Sequence, residues 1–74
     1  MTEQERTKEL ENILIGLMIS LGMSKVRTAL TLAMIRAYQI HEEMIDWIAS
    51  FHGKEDTFTT QIFLSRLNEL TESK

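Results

Sequence analysis

An apolar repeat at helical spacing constrains this chain more than any other feature. Val26, Leu30, Ala33, Ala37, Ile40, Met44, Ile48 and Phe51 follow one another by three or four residues, the spacing that keeps side chains on one face of an α-helix. No alternating segment is long enough for a strand, and no internal repeat or second domain is visible. The fold class expected is therefore all-α, a small three- or four-helix bundle forming a single domain over residues 1–74, with residues 1–2 and 72–74 frayed.

The helix limits follow from local signals. Leu10, Ile13, Leu14, Leu17, Met18 and Leu21 form a first stripe, and Gly22 follows where a left-handed residue closes a helix, giving a helix over 3–21. Ser24 is a good N-cap because its hydroxyl accepts a hydrogen bond from an amide one turn on, so the second helix begins at 24. Between Ser24 and His52 there is neither glycine nor proline, and one long kinked helix over 24–52 is an alternative. The acidic pair Glu42 and Glu43 suits the positive end of a new helix dipole. A break near Gln39 to His41 is favoured, splitting the segment into helices over 24–38 and 41–52. Gly53 and the polar run Lys54 to Thr57 then make a connection in which Asp56 or Thr57 caps a last helix over 57–71, with Phe63, Leu64, Leu67 and Leu70 on its buried face.

Size limits what such a bundle can hide. A chain of 74 residues buries only about 60% of the surface it exposes when unfolded. It contains no cysteine, so disulfides and thiolate metal sites are absent. Taking about 100° per residue, Ile15 and Ile19 lie off the centre of the first helix's stripe, and Leu32 and Ile35 lie off the second's. These four residues are expected at an association surface, because a symmetric dimer is the commonest way to cover surplus apolar area. The expected partners are a second copy of the chain, with a dimer favoured, or another protein. Trp47, Tyr38, Phe51, Phe58 and Phe63 read as core or edge-of-core aromatics, and Met18, Met34 and Met44 as gap-filling core residues.

The polar residues form no reactive constellation. His41 and Glu42 match the first half of a zinc-protease HExxH motif, but Ile45 stands where the second imidazole belongs. His52 lies eleven residues on, about 16 Å along a continuous helix, too far to share one metal ion with His41. Glu5 with Glu9, and Glu42 with Asp46, are carboxylate pairs one turn apart and read as solvated faces. No serine sits in a nucleophile elbow, and the glycines are too scattered for a phosphate loop. No catalytic residue, cofactor or metal site is expected, and the chain is read as non-enzymatic.

Charge weighs against polyanionic partners. The net charge is −3. Residues 21–37 hold Lys25, Arg27 and Arg36 without an acid, whereas residues 38–53 hold Glu42, Glu43 and Asp46 without a base. A recognition helix after the break would carry carboxylates towards phosphates. The acidic start of the chain is unlike a signal peptide, and the longest apolar run, Ile13 to Met23, is interrupted by Gly16, Ser20 and Gly22 and falls short of the roughly 20 residues a membrane span needs. A cytoplasmic location is expected. The function expected is a non-catalytic interaction or regulatory module that works through self-association or partner binding. The alternative is a small helix-turn-helix-like DNA-binding regulator, and a third reading is an accessory subunit docked on a larger complex.

Overall fold

The computed structural model describes residues 2–73, and the fraying expected at Met1 and Lys74 lies outside them. Among the described residues the chain is a four-helix, all-α arrangement: α1 (Glu3–Ser20), α2 (Lys25–Tyr38), α3 (His41–Ala49) and α4 (Thr60–Glu72), with a single 3₁₀ turn at Glu55–Thr57 between the last two. No helix among them is long and apolar enough to cross a membrane.

Capping explains most of the boundaries. The Thr2 side chain accepts the Glu5 amide, and the Ser24 side chain accepts the Arg27 amide, at the starts of α1 and α2. α1 closes on Gly22 at φ 85°. The Gly22 amide donates to the Ile19 carbonyl and the Met23 amide to the Met18 carbonyl, the paired bonds of a Schellman motif. α2 closes with the same pattern, the Gln39 amide donating to Arg36 and the Ile40 amide to Ile35. Here the left-handed residue is Gln39, at φ 53°. The alternative of one long kinked helix over 24–52 is thereby overturned, since α2 ends at Tyr38 and α3 starts at His41, and the break falls where the acidic restart placed it.

Two other limits differ from expectation. α3 stops at Ala49 rather than at residue 52, because from Ser50 to His52 each amide bonds three residues back, to Trp47, Ile48 and Ala49. This tightening brings Phe51 to within 4.9 Å of Phe58, ring centre to ring centre. α4 starts at Thr60 rather than 57. Thr57 donates its hydroxyl to the Lys54 carbonyl within the 3₁₀ turn, so Thr59 supplies the cap, accepting the Ile62 amide at 3.2 Å.

The core consists of Leu14 and Met18 from α1, Leu32 and Ile35 from α2, Ile40 and Met44 around the start of α3, and Phe63 and Leu67 from α4. Six of these are fully buried side chains, each stabilising the fold by about 1.5–3 kcal/mol relative to exposure. Trp47, Phe51, Phe58 and Phe63 stack edge to face or tilted at centroid distances of 4.9–6.3 Å, closing the end formed by α3 and α4. Thr60 Oγ1 donates to the Leu21 carbonyl, tying α4 to the last turn of α1.

The apolar stripe of α2 is the main correction. Thr28, Thr31, Leu32 and Ile35 are the residues α2 buries, while Val26 and Leu30 are 70% and 64% exposed and Ala33 and Ala37 are exposed as well. A shift of two residues turns a helix by about 200°, so the face read as inward points to solvent. Met34, read as a gap-filling core residue, lies on this open side too. The left-handed turn at Gln39 gives α3 a new axis, and the phase shared by Ile40, Met44 and Ile48 no longer fixes the phase of α2.

Candidate functional site

α2 presents two neighbouring rows to solvent, built by the i, i+4 spacing of its sequence. Val26, Leu30 and Met34 form one row and Ala29, Ala33 and Ala37 the other, all six exposed. None is charged or polar. Along its α4 side the face falls into an open groove of about 540 Å³, where Leu64, Leu67 and Asn68 meet Val26, Leu30 and Met34. Exposed apolar residues scattered singly are ordinary, whereas these six adjoin one another along a single helix.

The four residues expected at an association surface separate in the structure. Leu32 is 7% and Ile35 0% exposed within a single copy, so both belong to the chain's own core. Ile15 is half-buried and packs against that core. Ile19 is 63% exposed and lies on the open side of α1. Sequence reasoning missed Val26 and Leu30 as surface residues because it assigned them to the inner stripe.

A second cluster is polar and was also missed. Glu11 on α1 receives two hydrogen bonds of 2.9 Å from Arg36 Nε and Nη2 on α2, and His41 Nε2 at the start of α3 lies 2.9 Å from Glu11 Oε2. The carboxylate can only accept, so the imidazole N–H donates. The Glu11 side chain is 12% exposed and that of His41 13%. Arg36 holds the Glu11 carboxyl down at about 2, with His41 adding to the effect and burial opposing it; Arg36 is correspondingly raised by Glu11. A signal for this cluster exists in the sequence: Thr7, Glu11, Leu14 and Met18 share the spacing of one helix face, so Glu11 is an acid among core positions. Nearby, Arg6 Nε donates to Glu42 Oε1 at 2.9 Å.

This cluster fastens three helices and leaves little reactivity. Every Glu11 oxygen already has a partner, and among the described residues no group of three or more histidine, cysteine or acidic side chains converges on a point where a metal ion fits. His52 is not among its members and instead lines the edge of an open apolar cleft of about 330 Å³ floored by Leu17, Leu21, Ile48, Phe51 and Phe58. Glu55, on the same edge, accepts the Gly53 amide. No family model matches this chain, and no curated protein or solved structure shows significant similarity to it.

Proposed function

We propose that the protein is a non-catalytic interaction module whose working surface is the outer face of α2. The observation that carries this reading is the row Val26, Leu30 and Met34 beside Ala29, Ala33 and Ala37, six solvent-facing apolar residues without a charge among them. Large side chains next to alanines favour close approach of another helix, since the small row lets two backbones come near while the large row supplies contact area. The ion-paired Glu11 cluster is read as structural for the reasons of geometry given above.

The DNA-binding reading draws less support. α3, which follows the turn as a recognition helix would, exposes Glu42 and Asp46, and α2 offers phosphates an apolar outer face, with Lys25 and Arg27 in its first turn and Arg36 in its last held by Glu11. A cytoplasmic regulatory role accords with the acidic, cysteine-free composition.

The test is a comparison of wild type with Leu30→Asp. Leu30 is 64% exposed, so the variant keeps its far-UV circular dichroism and melting temperature. It is expected to lose every association, with itself or with proteins captured from the native host, that the wild type shows. Associations that persist unchanged in Leu30→Asp would move the working surface elsewhere.

A further inference from the structure

We propose that the chain exchanges α3 and α4 with a second copy of itself through the turn between α2 and α3, giving a two-fold dimer in which α2 and α3 run on as one helix. At this turn local preference and closed fold disagree. Gln39 occupies the left-handed region at φ 53° and ψ 48°, which is unfavourable for a residue with a side chain, and glutamine is a good helix former. The side chains of Thr2, Ser24 and Thr59 cap α1, α2 and α4, whereas α3 starts after Ile40 with no capping side chain. Turning Gln39 and Ile40 helical removes both faults, because the last carbonyls of α2 then accept the first amides of α3.

The apolar pattern dictates what the opened chain needs. A straight helix over 25–49, about 37 Å long, sets Ile40, Met44 and Ile48 on the same face as Val26, Leu30, Ala33 and Ala37, at steps of three and four. Thr28, Thr31, Leu32 and Ile35, the residues α2 buries, lie on the opposite face. In the closed chain α1 packs against both α2 and α3. In the straight form the same chain's α1 still covers the inner face of α2, so Ile40 and Met44, fully buried in the closed chain, pass beyond its reach. The α1 of a second copy can cover them, since its own α3 has left. The occupant is thus named by the chain's own core rather than by any property of α2's outer face. α4 travels with α3, held by the rings of Trp47, Phe51, Phe58 and Phe63. The Arg6–Glu42, Glu11–His41 and Thr60–Leu21 contacts are remade between copies, while Glu11–Arg36 stays within one. Reciprocal exchange closes at two copies and is a low-cost route to a dimer, one that short, strained hinges invite. It leaves the associations of the native protein to report on Leu30 as before, because closed chains exchange only after their core has opened.

The experiment refolds the protein from urea at millimolar concentration, the range in which the effective concentration of a tethered segment lies, and sizes it after dilution in the cold. Wild type is expected to yield monomer together with a species of twice the chain mass, which returns to monomer after unfolding and refolding at micromolar concentration. Gln39→Gly fits the left-handed turn and weakens the long helix, so it should lower the ratio of dimer to monomer by about tenfold or more. Gln39→Ala should raise that ratio, and Leu30→Asp should match wild type. Because the chain has no cysteine, a variant with both Arg6→Cys and Glu42→Cys reports which copies meet. A short thiol cross-linker should join these positions within one chain in the monomer fraction and between chains in the dimer fraction, read as the chain mass and twice that mass on a denaturing gel. Refolded wild type and Gln39→Ala that both stay monomeric would overturn the exchange. So would a dimer cross-linked only within chains, or one lost in Leu30→Asp yet undiminished in Gln39→Gly, which is the behaviour of a surface contact on the outer face of α2.

Discussion

Glu11 is the residue whose ionisation the fold uses most directly. Its carboxylate joins α1 to Arg36 of α2 and His41 of α3, and its pKa falls from 4.5 to about 2. Between those values the unfolded chain binds a proton that the folded chain does not. The contribution of Glu11 is therefore complete above about 4.5 and is lost as the pH falls through about 2. Arg36 is 59% exposed in its side chain, so water screens much of the pair. Glu11→Gln should destabilise by about 1 kcal/mol at neutral pH. Urea titrations of wild type and variant at neutral and strongly acidic pH should show that difference shrinking towards zero in acid. Thr28 differs from Glu11: its hydroxyl is buried without a hydrogen-bond partner among the described residues, so it occupies the inner face of α2 as a compact, β-branched filler.

Among the elements, the break between α2 and α3 is the most informative. Ile35 and Ile40, three residues before and two after the end of α2, are both fully buried and are linked by the Ile40 amide to Ile35 carbonyl bond. Their packing holds Gln39 in a left-handed conformation that costs a side-chain-bearing residue roughly 1 kcal/mol. Gln39→Gly should raise stability by about 0.5–1 kcal/mol, measured as a shift of the thermal midpoint, with helicity unchanged. Gly22 already occupies the equivalent place after α1, and that turn was legible in the sequence. The Ser24 cap and the restart at His41 were legible for the same reason, since each depends on one or two residues acting on their immediate backbone. The inner face of α2 was not legible. Threonine and leucine line one side and valine, leucine and alanine the other, so hydrophobicity differs little around the helix. Packing against α1 and α4 decides between the two sides. That decision exchanged the roles of the pairs Leu32 with Ile35 and Val26 with Leu30, and with them half of the expected association surface.

At the scale of the molecule, eight buried apolar residues among those described make one continuous core to which every helix contributes. Ile35, 0% exposed, sits in it, and Ile35→Ala should cost about 2–4 kcal/mol through lost transfer energy and the cavity left behind. Thermal denaturation of this variant should show a marked fall in midpoint. A small domain has little stability in reserve, so Ile35→Asp should not fold. The single tryptophan gives this architecture a built-in optical gauge. Trp47 touches Phe51 and Phe58 in the wall made by α3 and α4, and no atom of α2's outer row belongs to that ring cluster. Its ultraviolet emission should brighten or redden when the bundle melts yet stay silent when something settles on Leu30, so one fluorimeter trace can tell melting from docking.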